Sequence, residues 1–182
     1  MRMVAAIAAV VVLVIGAGLL VFHPSRPLYM QQRAVDVVVD DGVTLRGTIS
    51  KPRWSRKPSP GVVLVHGSGP LTREHLTGDV RSLVQHGFAV LAYDKRGAGA
   101  SSGEYLRQSC YPAETLLRRL AADAGPAFDQ LAADPDVDFS RLGFFGASQA
   151  GWIIPLAAEL TRRPPRFNVI ISGPAVSTGV EQ

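Results

Sequence analysis

Residues 143–151 read Gly-Phe-Phe-Gly-Ala-Ser-Gln-Ala-Gly, and this stretch decides the fold of the chain. The apolar residues up to Phe145 predict a buried β-strand, and the apolar residues after Gly151 predict a helix. A serine on such a tight turn adopts strained backbone angles, so small residues are needed two positions to either side. Gly146 and Ala150 hold those positions around Ser148, with alanine replacing the usual second glycine. This pattern is typical of a nucleophile elbow.

The elbow pattern has a simpler alternative interpretation. Short patterns of small residues recur by chance, and a serine at the start of a helix is often only an N-cap, whose hydroxyl satisfies a free backbone amide. The strands and loops around Ser148 must therefore decide between the two interpretations.

Length and composition indicate one ordinary globular domain. The chain has 182 residues, of which 47% are hydrophobic and 19% charged, with a net charge of +4. Its single cysteine, Cys110, excludes an internal disulfide framework but does not decide the cellular compartment.

Residues 4–22 form an uninterrupted apolar run. As a helix this run spans about 28 Å, close to the ~30 Å hydrocarbon core of a bilayer. It predicts a membrane anchor or a long signal peptide, and the lack of a clear cleavage site after it favours an uncleaved signal anchor. We therefore predict an anchor over residues 1–24, a linker over 25–33 and a partial domain over 34–182, which lies on the periplasmic or extracellular side.

Strands alternate with helices after the predicted linker. Residues 34–40 and 43–50 read as two strands joined by a turn at Asp41-Gly42, so the domain opens with an antiparallel hairpin. Further strands, apolar throughout, are predicted at residues 61–65, 88–93 and 167–172. Helices are predicted at residues 76–86, 112–133 and 149–160, and a turn at residues 134–140. Gly125-Pro126 is expected to kink or split the second helix, and the alternation implies a mostly parallel sheet.

Three motifs follow successive predicted strands. They read His66-Gly67-Ser68-Gly69-Pro70, Tyr93-Asp94-Lys95-Arg96-Gly97 with Gly99, and Gly146-x-Ser148-Gln149-Ala150-Gly151. In this order the motifs resemble the amino-terminal half of an α/β-hydrolase, and the chain is similar to bacterial exported hydrolases of the esterase, acyl-thioesterase and serine-peptidase-like group. The resemblance covers residues 35–182. It implies an α/β-hydrolase-like, mostly parallel sheet with an amino-terminal antiparallel hairpin, truncated after about the sixth strand.

The resemblance also implies roles for individual residues. Ser148 is expected to be the nucleophile of a serine hydrolase that acts on ester or thioester bonds, with peptide bonds as a further class. The negative oxygen of the tetrahedral intermediate needs two backbone amides, and those of Ser68 and Gln149 are implied. The expected partners are a small acyl ester or thioester and a membrane bound through residues 4–22. No cofactor, metal ion or nucleic acid is expected.

His66 and Asp94 invite a catalytic interpretation as base and acid. In the resembled family, however, the histidine shapes the oxyanion loop, while Asp94 and Arg96 stabilise the loop that follows them, with Glu104 as a candidate charge partner. A structural role is therefore favoured for both His66 and Asp94.

Two other features suggest different ligands. Gly97-x-Gly99-x-x-x-Gly103 approaches a dinucleotide fingerprint, but its spacing is one residue off and it does not open a helix directly, so nucleotide binding is disfavoured. Residues 51–60 combine basic side chains with Trp54, as phospholipid and nucleic-acid surfaces do. One loop does not make a basic face, so a solvated loop is the favoured interpretation.

The sequence after Ser148 does not supply the rest of a catalytic triad. In this fold the acid and then the histidine follow the nucleophile, after later strands. The residues after Ser148 include Glu159, in a predicted helix, and Glu181, but no histidine. The strand at residues 167–172 is also expected to leave an exposed apolar edge. We therefore expect a hydrolase completed by residues outside this chain. The alternative is a catalytically inactive, membrane-anchored binding module or a decayed fragment.

Overall fold

The computed structural model describes residues 29–39, 42–55 and 57–173 of the chain. The strands are β1 (Met30–Val38), β2 (Thr44–Pro52), β3 (Ser59–Val65), β4 (Ala89–Tyr93), β5 (Val137–Ala147) and β6 (Phe167–Ile171). The α-helices are α1 (Thr77–Gln85), α2 (Ala113–Ala132) and α3 (Ala150–Leu160), and short 3-10 helices cover Arg73–Leu76 and Gln108–Cys110.

All of these strands form one mixed sheet in the order β1-β2-β4-β3-β5-β6. The β1–β2 hairpin is antiparallel, and β2 runs antiparallel to β4. The strands β4, β3, β5 and β6 run parallel to one another. The predicted mostly parallel sheet with an antiparallel opening hairpin is therefore confirmed.

Helices cover both faces of the sheet. On one face α1 packs Val80 and Val84 against the strands, whereas α2 and α3 pack on the other face. There the rings of Phe128 and Phe144 lie with their centroids 4.9 Å apart. Successive residues of β3 alternate between the two apolar clusters, which explains why that strand is apolar throughout.

The opening hairpin begins earlier than its sequence suggests. β1 starts at Met30 instead of residue 34, because Met30 pairs with Pro52 and is buried. The end of the segment predicted as a linker therefore lies in the strand. Of the predicted turn at Asp41-Gly42, the structure describes Gly42, which has a φ of +79° and whose amide donates to the carbonyl oxygen of Val39.

Two other predictions are corrected by tertiary packing. β5 begins at Val137, inside the predicted turn, because Val137 pairs with Ser59 of β3. The helix α2 continues through Pro126, so the predicted split does not occur, and the kink stays a prediction. It packs closely on α3 at this point, since a Cβ added to Gly125 would lie 3.3 Å from the Cβ of Leu160. Packing of this kind stabilises a helix more than its intrinsic propensity does.

The last strand described leaves an apolar edge, as expected. β6 pairs with β5 on one side, and Val169, Ile170 and Ile171 are 41%, 39% and 49% exposed. The predicted anchor at residues 4–22, Asp41 of the hairpin turn and the residues after 173 lie outside the described ranges. Within those ranges no helix combines the length and hydrophobicity that crossing a membrane requires.

Candidate active site

The topology opens a crevice at the carboxyl edge of the sheet. β3 and β5 are adjacent, but the chain leaves β3 toward α1 on one face and leaves β5 toward α3 on the other. Such a switch point is where ligands bind in open α/β sheets. Ser68 lies in the loop after β3, and Ser148 and Gln149 follow β5 directly, so the structure brings all three predicted site residues to this crevice.

Ser148 has the strained backbone that the small-residue pattern predicts. Its φ is +55°, in the left-handed region that serine rarely adopts, and its side chain is exposed. The turn is held on both sides, because the Ser148 amide donates to the carbonyl oxygen of Ile171 at 3.1 Å and its carbonyl accepts from the Gly151 amide at 2.8 Å. Strain of this kind costs about 1–3 kcal/mol and clusters at functional sites.

The small residues around Ser148 are required by close contacts. A Cβ on Gly146 would lie 2.7 Å from the carbonyl oxygen of Val65 and 2.5 Å from the Cβ of Ala150. Alanine is therefore tolerated at position 150 because position 146 has no side chain. A Cβ on Gly67 would lie 3.7 Å from the Cβ of Ser148, so the loop after β3 passes directly beside the serine.

Two backbone amides next to Ser148 are available to a ligand. Gln149 is the N-cap residue of α3, so its amide lies at the positive end of the helix dipole. Ser68 follows Gly67 in the loop beside the serine. Neither amide donates a hydrogen bond to another residue in the described part of the chain. Paired free amides of this kind stabilise a developing negative charge on oxygen.

Lys95 links the two segments that carry these amides. Its ammonium group donates to the carbonyl oxygens of Gly67 at 2.7 Å and Gly69 at 3.2 Å, and to Oε1 of Gln149 at 3.1 Å. The residue is 4% exposed. Burial lowers the pKa of Lys95 to about 8, although the Asp123 carboxylate opposes this change. No role for Lys95 was predicted from the sequence. The available signal was a lysine two residues after a buried strand, since lysine is rarely found in buried positions.

His66 is held away from proton transfer. Its ring is buried, and Nε2 is hydrogen-bonded to the main-chain carbonyl of Tyr93. Because a carbonyl only accepts, Nε2 carries the proton and Nδ1 the lone pair, and Nδ1 has no partner among the residues described. Burial lowers the pKa of His66 to about 4. These contacts agree with a role in shaping the loop after β3.

The carboxylate of Asp94 accepts several hydrogen bonds from two loops. The donors are the backbone amides of Arg73 and Ala100, both at 2.9 Å, and the Arg73 guanidinium at 3.1 Å. The side chain therefore ties the loops after β3 and β4 together. This arrangement is the structural role expected for it.

The charge partner of Arg96 differs from the expected one. Its guanidinium donates two hydrogen bonds to the carboxylate of Asp123, at 2.8 and 2.5 Å, and both side chains are buried. Glu104 was the expected partner, but it is exposed, and Asp123 reaches the arginine from the inner face of α2. A buried bidentate pair of this kind fixes the loop after β4.

The glycines of that loop are explained by packing on the chain itself. A Cβ on Gly97 would collide with the backbone of Tyr105, and one on Gly99 would lie 2.5 Å from Oδ2 of Asp94. The space that a dinucleotide motif would leave for phosphate is thus filled by neighbouring residues. No cluster of three or more potential metal ligands occurs in the part of the chain that the structure describes.

Comparison with known proteins identifies the class that this fold and crevice define. The fold is that of the α/β-hydrolases, as the sequence predicted. The family described as serine aminopeptidase, S33, matches residues 56–182, and the chain belongs to this family.

Individual relatives agree with this assignment. The chain is 32% identical over 142 residues to the polyketide transferase claH of Penicillium crustosum, a match that covers 78% of this chain and 44% of the relative. The esterase Pf2001 of Pyrococcus furiosus superposes with a TM-score of 0.60 at 24% identity, covering 80% of this chain and 53% of the esterase. Acetyl xylan esterase 1 of Thermoanaerobacterium gives a TM-score of 0.58 at 22% identity, covering 81% and 49%. The chain thus spans about half the length of these proteins.

Proposed function

We propose that this chain carries the nucleophile and the oxyanion-binding amides of a serine hydrolase that acts on ester or thioester bonds. The observation that carries the proposal is the exposed Ser148 in a left-handed backbone conformation, beside the amides of Ser68 and Gln149, which donate to no other residue within the described ranges. Family membership and the esterases that share the fold support the same class of substrate.

The proposed reaction proceeds through an acyl-enzyme. Oγ of Ser148 attacks the carbonyl carbon of the substrate, a C–O bond forms, and the hydroxyl proton passes to a base. The amides of Ser68 and Gln149 donate to the carbonyl oxygen as it becomes negative. The bond to the alcohol or thiol then breaks, and the leaving group takes the proton from the base. Water attacks the acyl-serine in the same way and releases the acid.

We propose that the base and its acid partner come from residues outside this chain. The described histidines are engaged elsewhere, because His66 bonds Tyr93, His75 bonds Thr72 and His86 bonds Ser82. The chain covers 44% of its relative claH, which is consistent with a triad completed elsewhere. The alternative is a catalytically inactive binding module, because loss of triad members costs about 10⁴–10⁶ in rate.

Ester hydrolysis by the product of the native gene tests this function. Ser148→Ala is expected to lower the hydrolysis of p-nitrophenyl butyrate by about 10⁴–10⁶-fold. Ser172→Ala is the matched control, because Ser172 is the other described non-glycine residue with a positive φ. An unchanged rate in Ser148→Ala would refute the proposed nucleophile. A folded wild-type protein without activity would favour the binding module.

We also propose that residues 4–22 anchor the domain to a membrane, with the domain outside the cytoplasm. Met30 is the first residue of β1 and pairs with Pro52 near the amino ends of the parallel strands, at the end of the sheet opposite Ser148. An anchor leading into that end would point the crevice away from the bilayer. The protein is then expected to stay in the membrane pellet after alkaline carbonate extraction and to be protease-accessible in spheroplasts. Release into the supernatant would contradict the anchor.

A further inference from the structure

We infer that Lys95 is a positioning residue that aims the Ser68 amide, and fixes the Gln149 segment beside it, for binding a negatively charged oxygen. The inference rests on the proposed function, in which these two amides stabilise the oxyanion. Lys95 would act through the peptide groups that it holds and would not itself contact the substrate.

The geometry of the peptide bond between Gly67 and Ser68 carries the argument. Lys95 donates to the Gly67 carbonyl oxygen at 2.7 Å, and the Ser68 N–H belongs to the same peptide group. None of the described peptide bonds is cis, so this carbonyl and this N–H point in opposite directions. Holding the oxygen toward Lys95 therefore directs the N–H away from it. The positive charge also polarises the peptide and makes the N–H a stronger donor.

The other two bonds of Lys95 fix the surroundings of that peptide. The bond to the Gly69 carbonyl, at 3.2 Å, holds the loop on the far side of Ser68. The bond to Oε1 of Gln149, at 3.1 Å, ties the same ammonium to the residue that carries the second amide. One side chain thus fixes two segments that are far apart in sequence.

Lys95 is not placed to act as the base for Ser148. Its three hydrogen bonds go to Gly67, Gly69 and Gln149, which use all three protons of the ammonium group. Among the described residues no hydrogen bond joins Lys95 to Ser148. Its contribution is therefore the orientation of peptide groups.

Deprotonation of Lys95 should weaken its hold on the peptide between Gly67 and Ser68, and this change can be measured as a function of pH. A neutral amine has two N–H groups for three acceptors, so the Gly67 and Ser68 peptide is held less firmly once the proton is lost. The Asp123 carboxylate of α2 acts on the charge of Lys95, and the charge of Lys95 in turn acts on His66, as do the charges of Asp94 and His75. Asp94 and Arg96 flank Lys95 in the chain. His66, which titrates near 4, stays neutral through the range in which Lys95 titrates near 8.

Nuclear magnetic resonance of the full chain tests the inference directly. The ¹⁵N shifts of the Ser68 and Gln149 amides are followed from about pH 6 to about pH 10, together with the side-chain signals of Lys95. Both amides are expected to shift with the same midpoint as Lys95, near pH 8. Amides that stay constant while Lys95 titrates would overturn the inference, and this measurement needs no variant.

Variants separate positioning from general stability. Lys95→Met is expected to displace both amide signals and abolish their titration, and Lys95→Arg to restore the signals without titration near pH 8. Lys51→Met is the matched control, because Lys51 is also buried but bonds Asp134 and Asp136 at the other edge of the sheet. The same amide shifts in Lys51→Met would show a general effect and overturn the inference.

Labelling by a fluorophosphonate distinguishes failure of the inference from failure of the proposed function. In the product of the native gene, Lys95→Met is expected to slow labelling of Ser148 by about 10- to 100-fold, somewhat less than loss of an oxyanion donor itself. Equal rates in wild type and Lys95→Met would remove the positioning role and leave the function intact. If the Ser68 and Gln149 amide shifts titrate with Lys95 but Ser148 is never labelled, the positioning role would stand and the proposed function would fail.

Discussion

Each end of the sheet buries a lysine, and the two lysines differ in their partners. Lys51, at the amino ends of the parallel strands, donates to the carboxylates of Asp134 at 2.9 Å and Asp136 at 2.7 Å. Lys95, at the carboxyl ends, donates only to neutral oxygens of the backbone and of Gln149 among the residues that the structure describes. The buried charge of Lys51 is thus paired with carboxylates, whereas that of Lys95 is hydrogen-bonded to neutral oxygens.

The pKa values show what this difference means. Burial lowers the pKa of Lys51, but hydrogen bonds and charges of Asp136 and Asp134 outweigh it and the net pKa is raised. For Lys95 burial dominates, and its pKa falls to about 8. A buried charge without a bonded counter-ion costs stability, and such costs are found at functional sites. We infer that the lysine at the amino ends of the parallel strands stabilises the fold, whereas the lysine at their carboxyl ends serves the candidate active site.

Removing the amino-edge lysine should give the largest loss of stability. In Lys51→Met the carboxylate of Asp134, which is 1% exposed, keeps the exposed Arg33 as its one charged partner among the described residues. We expect the free energy of unfolding in urea to fall by about 3 kcal/mol. Lys57→Met, at an exposed lysine, is the control and should change it by less than about 0.5 kcal/mol. Equal effects of the two substitutions would remove the contrast between the edges.

Adding a methyl group at Gly146, beside Ser148, should give the next largest loss of stability. In Gly146→Ala the new Cβ would lie 2.7 Å from the carbonyl oxygen of Val65, so the strand or the turn must shift. We expect a loss of about 1–3 kcal/mol in unfolding free energy and a loss of phosphonate labelling at Ser148. Gly78→Ala, where a Cβ meets nothing within 4 Å, should be neutral or stabilising. Full labelling of Gly146→Ala would contradict the geometry given for the elbow.

The pH dependence of stability should sharpen the comparison of the two lysines. The pKa of Lys95 is about 8 in the folded chain against 10.5 ordinarily, so between these values the unfolded chain binds more protons. The free energy of unfolding should therefore rise with pH in this window, by at most about 1.4 kcal/mol per pH unit. Lys95→Met should lose this slope, whereas Lys51→Met should keep it. Parallel curves for wild type and Lys95→Met would contradict the lowered pKa.

A charge pair away from both edges should give the smallest effect. Arg118 and Glu114 pair at 2.9 Å on α2, with side chains 63% and 76% exposed. Arg118→Ala should change the unfolding free energy by less than about 0.5 kcal/mol, because water and salt screen exposed pairs. A loss above about 1 kcal/mol in urea titration would show that exposure is a poor guide to these contributions.

The features that the sequence predicts correctly are local ones. The small residues around Ser148, the Gly42 turn and the apolar run of β3 depend on neighbours in the chain, and the structure contains each of them. These short-range patterns were sufficient to predict the sheet, the elbow and the family.

The features that the sequence does not predict depend on long-range contacts. Arg96 pairs with Asp123 of a distant helix, and Lys95 reaches both Gly67 and Gln149. Nothing near these residues in the sequence identifies their partners, because folding brings the segments together. The early start of β1 has the same cause, since Met30 becomes a strand residue by pairing across the hairpin.

Covalent labelling is the most direct test of the central claim that Ser148 is a nucleophile. The product of the native gene is treated with a fluorophosphonate, and its intact mass and peptides are measured. We expect one phosphonyl group per molecule, on the peptide that contains Ser148, and no adduct in Ser148→Ala. An adduct on a different residue, or none on a folded protein, would contradict that claim.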